Sequence, residues 1–226
     1  MISFKGRHYK KTIILMAVRW YVAYSLSYRD IEELMLERGV LVDHSTINRW
    51  VIRYAPQLEL EFRGKYKKKT GTSWRMDETY IRVKGEWCYL YRAVDKDGDT
   101  IDFMLSTKRD KIATKAFFDK AIGSCGMPEK VVIDKSGSNF SALKEVNNLQ
   151  AKNQKIEIHQ IKYLNNIIEQ DHRFIKKVTR QTKGFKSFKS AHATIKGIEL
   201  HHMLHKRQFR NAGSMNVFQQ FYNLAA

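Results

Sequence analysis

The chain predicts an α/β protein: a mixed five-stranded sheet with flanking helices, preceded by an all-α unit. Three observations carry this expectation. Apolar residues near the start recur at helical spacing. From Ser73 the spacing changes to the alternation of strands. Two short apolar runs follow, each set off by a helical pattern, which is how parallel strands are joined.

Thr12 to Tyr24 predicts the first helix, with Ile13, Met16, Ala17 and Trp20 on one stripe. Ser27 to Asp30 reads as a capping box with Asp in place of the usual Glu. Ile31, Leu34 and Met35 then form the apolar stripe of a short helix that Gly39 ends. Asp43 or His44 caps a third helix, which buries Ile47, Trp50, Val51 and Tyr54 and is expected to stop before Pro56. Three short helices with a tight turn between the last two fit a helix-turn-helix, whose last helix enters the major groove of DNA. Ser45, Thr46, Asn48, Arg49 and Arg53 would then meet phosphates or base edges. A helical bundle that touches no DNA is the alternative. The run Arg63 to Lys69, with Lys67, Lys68 and Lys69, reads as a basic linker tracking phosphate or, more simply, as a solvated hinge.

Trp74 to Val83 is rich in Thr, Tyr, Ile and Val and predicts the first strand. Lys84-Gly85 turns the chain into a second strand, Trp87 to Val94, and Asp97-Gly98 turns it again into a third, Thr100 to Ser106. A helix is expected from Lys111 to Ile122, stopped by Gly123, Gly126 and Pro128. The apolar run Lys130 to Ile133 suits a buried parallel strand. Ala142 to Lys152 predicts a helix, Ile156 to Ile161 a fifth strand and Asn166 to Val178 a further helix. The order β-β-β-α-β-α-β-α is that of a ribonuclease H-like, retroviral-integrase-like domain. The expected organisation is a helix-turn-helix domain over 1–62, a basic linker over 63–72, the catalytic domain over 73–200 and a C-terminal helical tail over 201–226.

Composition narrows the function. An apolar content of 43% supports a real core. No apolar run reaches the length of a membrane span, and the basic segment Met1 to Lys11 lacks the pattern of a signal peptide. Cys88 and Cys125 have no ligand-like spacing and suit a reduced, cytoplasmic protein. The net charge is +18. It sits in two basic flanks, residues 1–76 and 151–226, around a balanced centre. Basic flanks fit a polyanion, because each neutralised phosphate releases counterions.

Against that background three acids need a reason. Asp77 lies on the first predicted strand, Asp134 directly after the fourth, and Glu169 on the helix after the fifth. Ends of strands in an open α/β sheet are where sites form. Mg²⁺ takes oxygen ligands and keeps several waters. Two such ions about 3.5–4 Å apart can clamp the attacking and leaving oxygens of a phosphoryl displacement. Asp77 would be the shared ligand, with Asp134 and Glu169 each serving one ion. Helical spacing puts Glu169, Arg173 and Lys176 on one face, so that both cations could meet DNA phosphate beside the metals. Each acid alone has an ordinary reading: an exposed strand residue, a turn residue before Ser136-Gly137-Ser138, and a solvated helix residue. Glu78 and Asp171 are the neighbouring acids that could replace them.

The motifs resemble those of the DDE transposases of the insertion sequence six family, over nearly the full length. The resemblance is carried by Lys5-Gly6-Arg7-His8, Ala17 to Tyr21, Ser27-Tyr28-Arg29-Asp30, Asp43 to Trp50, Trp74 to Tyr80, Tyr89 to Asp95, Gln160 to Asn166 and Gly184 to Ser187. It implies catalytic acids at Asp77, Asp134 and Glu169, followed by the basic Lys176. It also implies Mg²⁺ (with Mn²⁺ as a substitute), a homodimer, and double-stranded DNA partners, namely terminal inverted repeats and a target. A prokaryotic, nucleoid-associated protein is expected. The family usually has Thr where this chain has Ile133. Two rivals stay open: an inert DNA-binding regulator and a nuclease without strand transfer. Two other motifs are rejected. Asp95 to Asp99 lacks the glycine placement of a calcium loop. His201, His202 and His205 include an i, i+4 pair with zinc-ligand spacing, but a packed or surface helix is the better reading.

Overall fold

The computed structural model describes residues 2–6, 8–151, 154–161 and 166–226. Arg7 and residues 162–165 of the motif segments, and Lys152 at the expected end of a helix, lie outside the described residues. Contacts divide the chain into two compact units, residues 1–68 with 174–226, and residues 69–173. No described helix is long and apolar enough to cross a membrane.

The first unit is helical. Helices α1 (Lys11–Ala23), α3 (His44–Glu61) and α7 (Phe188–His205) pack on one another, α2 (Tyr28–Leu36) packs on α3, and α8 (Val217–Asn223) on α7 and α1. The Ser27–Asp30 capping box forms as expected, and Gly39 takes the left-handed φ of 68° that ends the turn after α2. Asp43 caps α3 through the N–H groups of Ser45 and Thr46.

Two expectations change in this unit. Helix α3 does not stop before Pro56; it runs to Glu61 and continues as a π-turn, Phe62–Tyr66. A mid-helix proline costs about 3 kcal/mol. Burying Leu58 and Phe62 completely recovers about 1.5–3 kcal/mol each, which is enough to carry the helix through. The basic segment is also less free than a linker. Lys67 bridges to Phe209, and the Lys68 N–H donates to the Gln208 carbonyl at 2.9 Å. The C-terminal residues are bound into this helical unit: Phe209 stacks on Tyr66 at 4.6 Å, and Phe221 is fully buried. The boundary expected at residue 200 therefore falls inside α7, whose neighbours are α1 and α3.

The second unit is the sheet, ordered β3-β2-β1-β4-β5. Strands β1 (Ser73–Val83), β2 (Glu86–Asp95) and β3 (Thr100–Ser106) form an antiparallel meander, and β4 (Lys130–Ile133) and β5 (Glu157–Gln160) extend it in parallel. Helices α4 (Lys111–Cys125) and α5 (Gly137–Asn148) follow β3 and β4. Trp74, Met76, Tyr91, Ala93, Phe117, Phe118, Val131, Ile133 and Leu143 share one core. Helix α5 starts at Gly137, five residues earlier than its apolar pattern, because the first turn is built from polar residues that serve Asp134. Helix α6 (Asn166–Thr179) crosses the division between the units. Mixed sheet, strand order and flanking helices are those of the ribonuclease H-like class.

Strand β1 pairs with β4 only over Ser73 to Arg75. Beyond that point no described residue pairs with its β4-facing edge. Continued by two residues from Arg75↔Val132, the parallel register brings Asp77 level with Asp134.

Gly197 on α7 allows close approach of α1 and α3. A Cβ there would lie 2.6 Å from Val22 Cγ1 and 2.9 Å from Ala55 Cβ. An alanine gains about 1 kcal/mol in helix propensity, but overpacking costs about 1–3 kcal/mol. The Ala55 Cβ is fixed to its backbone, so the helices themselves must separate. Gly197→Ala is expected to lower stability by about 1 kcal/mol and Gly197→Val by more, read from urea midpoints. A raised midpoint for the alanine variant would contradict this packing.

Candidate active site

Asp77 on β1 and Asp134 after β4 meet at the β1–β4 edge. Together with Glu78 they offer carboxylate oxygens that all lie within 4.8 Å of one another. Adjacent strand residues point to opposite faces. Asp77 therefore shares a face with Arg92, its register partner on β2, while Glu78 shares the other with Tyr80, Arg82, Tyr89 and Tyr91.

Each acid has its own support. The Asp134 carboxylate accepts from the Ser136 N–H at 3.0 Å and from Asn139 Nδ2 at 3.1 Å. Asn139 is fully buried on α5, and Thr114 Oγ1 of α4 donates to its Oδ1 at 3.1 Å. The Arg109 guanidinium lies 3.5 Å from Glu78 and 3.8 Å from Asp134. The chain on both sides of Arg109 is held. Tyr91 Oη donates to the Lys108 carbonyl at 3.2 Å, and Asp110 caps α4 through the Ala113 N–H at 2.8 Å.

Burial pushes the Asp77 carboxyl up to about 7. The Glu78 N–H opposes the shift, and the negative charges of Glu78, Asp134 and Glu169 reinforce it. Glu78 is raised too, mainly by burial, with Arg109 and Asn139 pulling the other way. Acids placed so that one is hard to ionise form a site that a cation would relieve. The donors are all carboxylate oxygen, the set that suits a hard divalent metal.

Glu169 is exposed on the first turn of α6 and lies outside the tight group, but its charge reaches Asp77. The α6 residues near it are anchored. Asp171 pairs with the fully buried Arg92 at 2.7 Å, and His172 Nδ1 lies 3.8 Å from Asp77. The two acids named as alternatives thus have different fates. Glu78 enters the carboxylate group under Arg109, whereas Asp171 serves as the counterion of the buried Arg92. Arg173 and Lys176 are exposed on the same helix. Arg109, Asn139, Arg92 and His172 were not singled out from the sequence. Only the polar run after Asp134 hinted at Asn139.

Ile133 is fully buried in the core. The hydrogen bonds that Asp134 accepts come from Ser136 and Asn139 and not from residue 133. Ile in place of Thr therefore removes none of them.

In the helical unit, Ser45, Arg49 and Arg53 are exposed on α3, and Thr46 and Asn48 are half-buried. The hydroxyls of Ser45 and Thr46 donate to Asp43, and Arg49 donates to Thr46 at 2.6 Å. Ser45 and Asn48 also line a cleft of about 380 Å³ together with Ser27, His44, Phe185 and Lys186. Lys68 and Lys69 are exposed, while Lys67 is half-buried at its bridge to Phe209.

The chain is similar to known proteins over most of its length. A family model described as a DDE domain matches residues 71–208. The transposase for the insertion sequence-like element IS431mec of Staphylococcus aureus (strain Mu50) is 44% identical over 212 residues, covering 93% of this chain and 92% of the relative. The S. aureus transposase for insertion sequence element IS257 in transposon Tn4003 is 44% identical over the same span. Among solved structures, the HTLV-2 integrase catalytic core domain aligns with a TM-score of 0.45 and 17% identity, over 58% of this chain and 86% of that one. The BIV integrase catalytic core domain aligns at 0.43 and 13%, over 58% and 84%. By its DDE domain and its near-full-length relatives, the chain belongs to the DDE transposases of the insertion sequence six family.

Proposed function

We propose that this DNA transposase binds the terminal inverted repeats of its insertion sequence, cuts strands at the element ends and joins each freed 3′-hydroxyl to target DNA. The observation that carries the reading is the meeting of Asp77 and Asp134 at the β1–β4 edge, in a chain whose DDE domain spans that edge. Asp77, Asp134 and Glu169 would hold two Mg²⁺ ions, or Mn²⁺ in their place, with Asp77 shared. Such ions, when bound, supply an activated water and stabilise charge on the attacking and leaving oxygens.

The remaining work falls to the chain. Asn139 and the Ser136 N–H fix the orientation of Asp134. The Arg92–Asp171 pair seats α6 beside the sheet and so presents Glu169. Arg173 and Lys176 follow Glu169 on α6 and would neutralise phosphate of the bound strand. In the first step a water oxygen bonds to phosphorus at the element end and the 3′-oxygen leaves, taking a proton. In the second that 3′-hydroxyl attacks a target phosphodiester, and the target's own 3′-oxygen departs. Asn48, Arg49 and Arg53 are the stronger candidates for reading the repeat, since Ser45 and Thr46 already donate to Asp43. Lys67, Lys68 and Lys69 would add phosphate contacts. Two ends must be processed together, which fits a homodimer.

Asp77→Asn, Asp134→Asn and Glu169→Gln are each expected to cut cleavage of a labelled terminal-repeat duplex in Mg²⁺ by at least ~100-fold while leaving gel-shift binding in place. Intact cleavage in any of them would remove that residue from the site. Wild-type binding without cleavage would favour the regulator, and cleavage without joined product the nuclease.

The Asp77 shift also sets a pH dependence for the metal-free protein. Its carboxyl titrates near 3.8 when exposed and at about 7 when folded. Between these values the native state holds more protons than the unfolded state, so stability falls as pH rises. Thermal melts in EDTA should show a midpoint that declines from about pH 4 to about pH 7 more steeply for wild type than for Asp77→Asn. Parallel profiles would show that Asp77 is not strained by its neighbours.

A further inference from the structure

The face of the sheet that carries Glu78 continues outward as a row of aromatic and guanidinium side chains that no step above uses. Tyr80 and Arg82 follow Glu78 on β1, and their register partners on β2 are Tyr89 and Trp87. Tyr80 is 49% exposed and Trp87 57%, and Arg82 is exposed. The Tyr80 ring centroid lies 5.5 Å from that of Tyr89 and 6.0 Å from that of Trp87, and the Arg82 guanidinium lies over Trp87 at 5.9 Å. At the inner end Arg109 donates to Tyr80 Oη at 3.3 Å while lying 3.5 Å from Glu78 and 3.8 Å from Asp134. The row thus starts at the acid group and runs out along the hairpin.

Cross-strand aromatic pairs can stabilise a hairpin by packing alone. That role does not need two rings left half open to solvent. Ring faces attract base faces, and guanidiniums attract phosphate. A paired duplex presents its phosphates but hides its base faces. A strand whose bases have come unstacked presents both. The guanidiniums at the two ends, Arg109 and Arg82, favour a polyanion over a second copy of this chain, which would bring like charges together.

We propose that Tyr80, Arg82, Trp87 and Tyr89 form a stacking platform for unpaired DNA bases of the strand that passes through the acid group. The inference rests on the transposase reading above, and it adds a requirement for local unpairing next to the cut. It can be tested with the full chain in EDTA, by fluorescence anisotropy on two labelled terminal-repeat duplexes. One is blunt at the element end and the other carries a short single-stranded 3′ extension there, with 2-aminopurine in the extension as a stacking probe. Wild type should bind the extended duplex about tenfold more tightly and quench the 2-aminopurine. Trp87→Ala and Tyr80→Ala should lose most of that preference and the quenching, whereas Trp87→Phe, which keeps a ring, should retain both. Equal binding of the two duplexes by wild type would overturn the platform but leave the transposase reading standing. Failure to bind either duplex would overturn the transposase reading itself. An undiminished preference in Trp87→Ala, with a change in its oligomeric state by light scattering, would make the surface a self-interface and also overturn the platform.

Discussion

Asp77, within β1 just past its pairing with β4, comes level with Asp134, directly after β4, and the parallel pairing does nothing to neutralise them. Burial first, and that repulsion second, set the electrostatics at this edge of the sheet. Burial alone makes Asp77 hard to ionise, and three nearby carboxylates make it harder. The surrounding residues hold the acids in place without cancelling them. Asn139 and the Ser136 N–H fix Asp134 by hydrogen bonds, which leave its charge intact. Arg109 stands closest to Glu78, so the strongest internal pairing goes to the acid outside the proposed metal trio. A divalent cation entering the group would find Asp77 and Asp134 already gathered.

The same logic explains the buried ion pair between Arg92 and Asp171. Desolvating two charges is costly, and such pairs are weak evidence for stability. This one joins α6 to the strand residue directly opposite Asp77. Its effect is positional: it seats the helix that carries Glu169. Ile133 belongs to the opposite side of the account. It fills the hydrophobic core, while the hydrogen bonds that Asp134 accepts come from Ser136 and Asn139.

Much of this was legible in the sequence because it is local. Strands β3 and β4 begin and end where alternation, turn residues and a short apolar run say they should. The Ser27 capping box is a four-residue signal and formed as read. Where the sequence misled, the deciding contacts were distant. Pro56 marks a helix end by local rules, yet burial of Leu58 and Phe62 carries α3 past it. The segment after residue 205 has no periodicity to show that Phe209 lies against Tyr66. In the site, Asp77 and Asp134 could be picked out from their places on the first strand and directly after the fourth. Arg109 and Asn139 could not, because a loop arginine and a first-turn asparagine carry no pattern until the sheet brings them to the acids.

On the proposed reading the carboxylates at the β1–β4 edge form a preassembled site for a divalent cation. Crystals of the full chain grown with Mn²⁺ and measured at the manganese absorption edge test it most directly. An anomalous peak between the Asp77 and Asp134 carboxylates is predicted, with Asn139 still bonded to Asp134. Manganese bound elsewhere in the chain, with that edge left empty, would contradict the account.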